Sequence, residues 1–232
     1  SAKGNSFTIA TNPATNEPLP GKFPGANTDE INFTVDQASK AFDIYSKISG
    51  KEKAEFLNAI ADEIAALGDK LITRCCAESG LPKVRIRGER GRTIAQLQMF
   101  ANLIEKGSWL EATIDTAQPD RDPVPKPDIR RILVPLGPVV VFAASNFPLA
   151  FSTAGGDTAS ALAGGNSVIV KAHRAHPGTS TMVGSAIVKA AIKTGMPDGV
   201  FSLLHGSGST VGQELIKHCK VKAAGFTGSQ KA

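Results

Sequence analysis

Cysteine is scarce in this chain and follows no disulfide or metal-binding pattern. The 232 residues include three cysteines, Cys75, Cys76 and Cys219, and neither a CxxC motif nor a Cys/His ligand spacing. Cys75 and Cys76 are neighbours on a predicted helix, so their side chains point in different directions. An odd, small cysteine count is typical of a reducing compartment. We therefore expect a cytoplasmic protein without a bound metal.

Long apolar runs, aromatic residues and strong charge of one sign are also missing. No apolar run approaches the roughly 18 residues of a membrane span, and the first residues contain no apolar signal core. Aromatic residues make up 6% of the chain, and the net charge of +5 is scattered along it. Nucleic-acid-binding proteins usually cluster basic residues beside stacking aromatics. The sequence predicts no membrane or nucleic-acid partner, while its mild positive charge favours an anionic ligand.

The pattern changes from turns to helix at Thr28. Residues 1–27 are rich in Asn, Pro and Gly and are expected to form a strand or two with turns. Apolar residues then recur at three- and four-residue steps, as in "AEFLNAIADEIAALG", which is the spacing of an amphipathic helix. Gly68 is predicted to end one of these helices. Residues 28–107 are therefore predicted to form a helical layer.

A proline-rich stretch separates this layer from the rest of the chain. The segment "QPDRDPVPKPDIRRILVP" holds five prolines in eighteen residues, which makes it a poor central strand. Two interpretations remain open from the residues alone. The segment is either a disordered linker or an arm of edge strands that projects from the body, and apolar alternation at its ends favours the arm.

The last section alternates between apolar β-branched runs and helical segments. The runs are "VVVFA" at 139–143, "SVIVK" at 167–171, "VFSLL" at 200–204 and "VKAAGF" at 221–226. Helices are predicted between them, the first over 148–162 and the second opened by Pro177 at its first turn. This alternation predicts an α/β fold, with at least four parallel strands and helices on both faces.

Ligands of parallel sheets bind beyond the carboxyl ends of the strands, so the corners there are the candidate sites. After the first run comes Asn146, whose amide is either a helix cap or a donor to a reacting oxyanion. After the second run, Lys171, His173, Arg174 and His176 form either a phosphate-binding loop or an ordinary solvated loop.

The other two corners are rich in glycine. "HGSGSTVG" places Gly206, Gly208 and Gly212 where a helix begins, and backbone N–H groups there can approach a phosphate. The spacing departs from GxGxxG, and a simple glycine-rich turn explains it equally well. "GFTGS" at 225–229 offers a further close backbone approach, but taken alone it favours a turn.

Taken together, the corners resemble the aldehyde dehydrogenase superfamily. The resemblance runs from "NPATNEPLP" to "GFTGS" and is strongest over 135–229. The form "ASNFPLAFSTAGGDTASALAGGNSVIVKAHRAHPGTS" resembles the α-ketoglutarate semialdehyde (2,5-dioxopentanoate) dehydrogenases. Other members more often have Pro-Trp-Asn in place of Ala144-Ser145-Asn146. The resemblance implies a Rossmann-like fold and NAD(P)⁺-dependent oxidation of a small aldehyde to its carboxylate.

The resemblance also implies a role for each matching position. Asn146 matches the asparagine that helps form the oxyanion hole, and Lys171 matches the lysine that holds the adenine-side ribose. The remaining positions implied to contact the cofactor are Ala144, Ser145, His173, Arg174, Gly206, Gly208, Gly212, Phe226, Gly228 and Ser229. Residues 116–134 match the projecting strands through which family members oligomerise, so the resemblance implies a homo-oligomer.

Two departures from the family pattern shape the expectations. Arg174 stands where many members have a glutamate for the ribose hydroxyls, which favours NADP over NAD as cofactor. The family's nucleophilic cysteine and general-base glutamate lie beyond "GFTGS", whereas this chain stops at Ala232.

We expect a helical part at 1–115, an oligomerisation arm at 116–134 and a cofactor-binding core at 135–232. The core is truncated before the catalytic domain, so the chain alone is expected to be inactive.

Overall fold

The computed structural model describes residues 4 and 6–229 and contains seven α-helices and eight strands within them. The helices are α1 (Thr28–Tyr45), α2 (Gly50–Ala66), α3 (Gly68–Ser79), α4 (Lys83–Lys106), α5 (Gly156–Ala163), α6 (Pro177–Lys193) and α7 (Gln213–Lys217). The strands are β1 (Phe7–Thr8), β2 (Phe23–Pro24), β3 (Thr113–Asp115), β4 (Ile129–Arg131), β5 (Val139–Phe142), β6 (Val168–Lys171), β7 (Phe201–Leu204) and β8 (Ala223–Phe226). A 3-10 turn at Ser108–Leu110 and a π-helical turn at Gly208–Gly212 complete the helical elements.

Local sequence signals set the ends of the first four helices. Asn27 and Ser49 each open a helix with a reciprocal capping box, in which side chain and backbone satisfy each other's polar groups. α3 and α4 end at Gly80 and Gly107, both in the left-handed conformation. Gly68 follows the end of α2 with φ +57°, which confirms the predicted stop.

The central sheet confirms the predicted fold class. Its four strands run parallel in the order β7-β6-β5-β8. Val140 and Ile169 pack with α1 and α7 on one face, while their neighbours Val141 and Val168 join the core formed with α2–α6 on the other face. Because successive side chains of a strand point to opposite faces, these continuous apolar runs bury both sides of the sheet.

The helical layer shares one core with the sheet. α2 packs against α4 and α6, and α4 packs against α5. Tyr45 at the end of α1 reaches this core and donates from its hydroxyl to the Leu162 carbonyl at 2.9 Å. The helices predicted within residues 28–107 are confirmed, but they do not form a single layer, because α2–α4 pack on one face of the sheet and α1 covers the other face with α7.

The proline-rich stretch forms an exposed antiparallel ribbon. β3 pairs with β4, and a further bridge joins Gln118 to Lys126. Its apolar residues Ile114, Val124 and Ile129 are all more than half exposed. The ribbon has the form of an arm, while the oligomerisation role of residues 116–134 stays a prediction.

The helix predicted over 148–162 is shorter than expected. Residues 148–155 form turns, and α5 begins only at Gly156. Backbone N–H groups of this segment bond to a carboxylate of α4 instead of to a helical ladder, as described below. Separately, none of the helices in the described ranges is long and apolar enough to cross a membrane.

Candidate nucleotide and oxyanion site

The carboxyl ends of the four parallel strands form one row. Phe142 of β5 pairs with Lys171 of β6 on one side and with Phe226 of β8 on the other, and Lys171 pairs with Leu204 of β7. Each predicted corner begins at or just after a member of this row. The topology therefore brings the Asn146 loop, the basic loop and both glycine-rich corners to one edge of the sheet.

The corner after β5 is a closed loop with Asn146 at its tip. Ala144 donates its N–H to the Phe151 carbonyl at 2.8 Å, and Phe151 donates to the Phe147 carbonyl at 3.3 Å. Ser145 and Asn146 are exposed, whereas Ala144 is buried. Within the described ranges, no hydrogen bond involves the side-chain amide of Asn146. The amide therefore faces outward with its N–H donors available. A helix cap would instead have its side chain bonded to the backbone of the helix.

Helix α4 holds this loop through side chains that sequence reasoning missed. The buried carboxylate of Glu89 accepts the N–H groups of Leu149 and Ala150 through Oε1, at 2.8 and 3.0 Å. Arg85, one turn earlier, donates from Nη2 to the main-chain carbonyl of Asn146 at 2.9 Å. The Glu89 carboxylate and the Arg85 guanidinium therefore hold the backbone of the loop that carries Asn146.

His176 serves the same loop and does not line a ligand site. Its ring is fully buried, with Nε2 at 2.7 Å from the Ala144 carbonyl and Nδ1 at 3.3 Å from the Ser180 hydroxyl. Because a carbonyl only accepts, Nε2 carries the proton, and Nδ1 accepts from Ser180. Burial lowers the pKa of His176. The interpretation of His176 as a phosphate-binding basic group is therefore wrong.

The N-terminus of α6 is also already occupied. Glu78 of α3 accepts the N–H of Gly178 at 2.8 Å and the N–H and hydroxyl of Thr179, both at 2.7 Å. Arg74 donates to the same carboxylate at 2.7 Å. A helix N-terminus attracts anions, and here a protein carboxylate takes that place. Sequence inspection gave no signal for this partner, which lies a hundred residues away.

Lys171 is the buried cation of the site. Its side chain ends β6, the residue is 8% exposed, and within residues 6–229 its ammonium takes part in no hydrogen bond or ion pair. Burial, and secondarily the charge of Arg174, lowers the pKa of Lys171. A buried amine without a protein acceptor fits a ligand that supplies hydroxyl or phosphate oxygens.

The two residues beyond it differ in character. His173 is half-buried, and burial, more than the neighbouring charges of His176, Lys171 and Arg174, lowers the pKa of His173 to about 4. Its Nδ1 accepts the Ala175 N–H at 3.2 Å, so Nε2 carries the single proton and remains a donor. Arg174 is exposed and forms no ion pair among the described residues. At neutral pH the exposed charge of this loop is therefore that of Arg174, and His173 adds only a neutral donor.

The glycine-rich corner after β7 is built around one conformation that requires glycine. Gly206 has φ +141°, and a Cβ there would lie 2.3 Å from the Cγ2 of Val211. Gly212 packs against the ring of Phe142, where a Cβ would meet the ring at 3.2 Å, whereas a Cβ on Gly208 would meet nothing within 4 Å. The space beside Gly208 is therefore open to a ligand.

Hydroxyl groups surround this open space. Ser207 accepts the Thr210 N–H at 3.0 Å, and its hydroxyl lies 2.7 Å from that of Thr210 and 3.1 Å from that of Ser209. All three side chains are exposed apart from these mutual contacts. Together with the N–H groups that open the π-helical turn, they form a neutral polar surface suited to phosphate oxygens.

The corner after β8 presents an aromatic ring and an exposed glycine. Phe226 is 52% exposed and meets Phe142 edge to face, with centroids 6.1 Å apart. Gly228 and Ser229 follow as exposed residues, and a Cβ on Gly228 would lie 2.4 Å from the Phe226 ring. An exposed ring at this edge fits a ligand with a flat apolar part.

Neither Cys75 nor Cys219 provides a thiolate beside Asn146, and burial raises the pKa of the partly exposed Cys76 thiol, which keeps it protonated at neutral pH. Cys75 is fully buried in α3, where desolvation raises the pKa of its thiol to about 12. Cys219 is exposed but precedes β8, and the adjoining Lys222 N–H bonds to the carbonyl of Pro138 ahead of β5. Cys219 therefore lies at the opposite edge of the sheet from Asn146. No His, Cys, Asp and Glu group in the described part of the chain is arranged to hold a metal ion.

The parallel sheet with helices on both faces has a Rossmann-like α/β fold, and a buried lysine and glycine-rich turns lie at its carboxyl edge. Comparison with known proteins narrows this class. The profile of the aldehyde dehydrogenase family matches residues 2–232. The chain belongs to the aldehyde dehydrogenase family.

Individual relatives agree with this assignment. The chain is 55% identical to α-ketoglutaric semialdehyde dehydrogenase 2 of Azospirillum brasilense, over 96% of this chain and 42% of that protein. It is 46% identical to α-ketoglutaric semialdehyde dehydrogenase of Acinetobacter baylyi, over 97% of this chain and 43% of that protein. The crystal structure of an aldehyde dehydrogenase from Brucella melitensis superposes with a TM-score of 0.84 at 26% identity, covering all of this chain and 45% of the other. The chain thus spans less than half the length of these relatives.

Proposed function

We propose that this chain supplies the nucleotide site and one oxyanion donor for NAD(P)⁺-dependent oxidation of an aldehyde to a carboxylate. We assign this activity to the complete polypeptide, by which we mean the full-length gene product that contains these 232 residues. One observation carries the proposal: the outward amide of Asn146 and the buried ammonium of Lys171 follow adjacent, paired strands at the same edge of the sheet. Membership of the aldehyde dehydrogenase family supports it.

Within this proposal, Asn146 acts on the substrate oxygen. Its side-chain N–H₂ donates to the aldehyde oxygen as negative charge develops there, and the loop contacts of Glu89, Arg85 and His176 keep the amide in place. A donor fixed in advance lowers the activation barrier because it needs no reorganisation when the charge appears.

The residues at the edge fit a dinucleotide. Lys171 would donate to ribose hydroxyls, the Gly208 turn would receive phosphate oxygens, and Phe226 would pack against the flat apolar part. The bound dinucleotide supplies the hydride acceptor. Arg174 supports a preference for NADP⁺ over NAD⁺, since an exposed guanidinium without a carboxylate partner in the described ranges suits a 2′-phosphate.

We infer 2,5-dioxopentanoate as the substrate. The relatives with 55% and 46% identity are both named for the semialdehyde of α-ketoglutarate. The three free cysteines support a reducing, cytoplasmic location. The exposed ribbon formed by β3 and β4 carries the exposed apolar side chains of Ile114 and Ile129, and these support assembly with further copies of the chain, because exposed apolar surface is a usual site of protein association.

The test is aldehyde-dependent reduction of the cofactor by the purified complete polypeptide, followed through the absorbance of the reduced nicotinamide. We expect turnover of 2,5-dioxopentanoate with NADP⁺ and, less efficiently, with NAD⁺. Reduction of neither cofactor by this or other small aldehydes would refute the proposal.

A second function applies to the 232-residue polypeptide by itself. Because burial keeps the thiols of Cys75 and Cys76 protonated and Cys219 lies at the far edge of the sheet, we infer a dinucleotide-binding chain without aldehyde oxidation. A preparation of verified mass should bind NADP⁺ in calorimetry and show no turnover. Turnover by that preparation would contradict the inference.

A further inference from the structure

Two arginines of α4 stack on the aromatic rings of the Asn146 loop. The guanidinium carbon of Arg85 lies 5.0 Å from the ring centroid of Phe147, and that of Arg92 lies 4.9 Å from the centroid of Phe151. The two rings meet edge to face, with centroids 5.2 Å apart. Helix α4 and the loop therefore form a strip with two cations, two rings and the oxyanion donor.

The two arginines differ in what they already bind. Arg85 gives one N–H to the Asn146 carbonyl at 2.9 Å. Arg92 is exposed, its guanidinium stacks on the Phe151 ring, and among residues 6–229 it takes part in no hydrogen bond or ion pair. A guanidinium carries five N–H donors in a fixed fork. Arg92 thus keeps its full set of donors, and its stacking on the ring limits the directions in which they point.

We propose that Arg92 determines specificity by binding a carboxylate at the far end of the aldehyde substrate. This proposal rests on the aldehyde oxidation proposed above and names the chemistry of its substrate. The guanidinium fork matches the two oxygens of a carboxylate. Arg85 holds the oxyanion end of the same strip, so the two arginines have separate tasks.

The spacing along α4 fits a five-carbon acid. Arg85 and Arg92 are seven residues apart, which is about 10 Å along a helix axis. The terminal carbons of an extended five-carbon chain are about 5 Å apart, and a C–O bond with its hydrogen bond adds up to about 4 Å at each end, which gives a donor-to-donor span of at most about 13 Å, comparable with the helix spacing. With its aldehyde oxygen at Asn146, such a substrate lays its methylene groups along Phe147 and Phe151 and its carboxylate at Arg92.

The experiment compares an anionic with a neutral aldehyde in the complete polypeptide. We would measure kcat and KM for 2,5-dioxopentanoate and for pentanal in the wild type, Arg92→Met and Arg92→Lys. Arg87→Met is the matched control, because Arg87 is an exposed arginine of the same helix that pairs with Asp69.

Arg92→Met should lower kcat/KM for 2,5-dioxopentanoate about 10- to 100-fold, mainly through KM, which is the range for a lost charge-assisted contact. Activity with pentanal should fall much less, so the ratio of the two kcat/KM values should fall at least several-fold, whereas both activities of Arg87→Met should change by less than about twofold. Arg92→Lys retains the positive charge and should recover part of the loss.

An unchanged ratio of the two kcat/KM values in Arg92→Met, whether both values fall equally or neither falls, would overturn the role of Arg92. In both cases a wild type that oxidises aldehydes leaves the proposed function standing. A wild type that oxidises neither aldehyde would overturn the proposed function, and the role of Arg92 with it.

Discussion

Replacing Glu89 tests how the Asn146 loop is held. Glu89 is 6% exposed and accepts two N–H groups, from Leu149 at 2.8 Å and Ala150 at 3.0 Å. Both donors are buried, so Glu89→Ala leaves two unsatisfied N–H groups, each costing about 1–3 kcal/mol. The variant no longer has to bury a carboxylate, and this offsets part of the loss. We expect the free energy of unfolding to fall by about 2–4 kcal/mol.

A matched pair of variants separates this contact from a general helix defect. Glu89→Gln keeps an oxygen that accepts both N–H groups and should lose about 1 kcal/mol, the charge assistance of the contact. Glu105→Ala, at an exposed position of the same helix, should stay within about 0.5 kcal/mol.

Urea unfolding of the complete polypeptide, followed by circular dichroism, measures these differences. Activity measured alongside should fall in the same order, because a loosened loop misplaces Asn146. A Glu89→Ala protein as stable as the wild type would refute the anchoring role, and so would a Glu89→Gln protein as unstable as Glu89→Ala.

Three further predictions follow from the corners. Arg174→Glu should shift the ratio of kcat/KM for NADP⁺ and NAD⁺ toward NAD⁺ by about 1–3 kcal/mol, and an unchanged ratio would show that Arg174 does not contact the 2′ position. Gly206→Ala should lower the free energy of unfolding by about 1–3 kcal/mol, because alanine rarely adopts φ +141°, whereas Gly208→Ala, with open space and an ordinary φ, should leave it unchanged in the same urea titration. Stability should fall as pH drops from 6.5 toward 4, because burial lowers the pKa of His173 and His205 to about 4, so their unfolded forms, with a pKa near 6.5, bind more protons in that window. Replacing His205 with Asn should make the free energy of unfolding depend less steeply on pH between 6.5 and 4. An equally steep dependence would contradict the lowered pKa of His205 as a cause.

Much of the fold was predictable because its signals are local. The two central strands are buried on both faces, so their apolar runs "VVVF" and "VIVK" are continuous, and the helices between the four runs indicate a parallel sheet. Parallel topology then places all strand ends together, so the sequence alone groups the corners at Asn146, Lys171 and Gly206. Their individual roles stay predictions.

The contacts that organise the site could not be predicted, because their partners are distant in sequence. Glu78 and Glu89 lie 60 to 101 residues from the N–H groups that they accept. A glutamate in a helical pattern is usually solvated, and only the packing of α3 and α4 against the sheet shows that these two are buried. The same long-range packing turns His176 inward and shortens the helix predicted over 148–162.

The central claim is that Asn146 stabilises negative charge on the substrate oxygen, and Asn146→Ala in the complete polypeptide tests it directly. We predict that kcat for 2,5-dioxopentanoate falls by about 10²- to 10³-fold, while the Kd for NADP⁺ is unchanged. A fall of less than about threefold, with chemistry shown to be rate-limiting, would contradict the claim and leave Asn146 a structural loop residue.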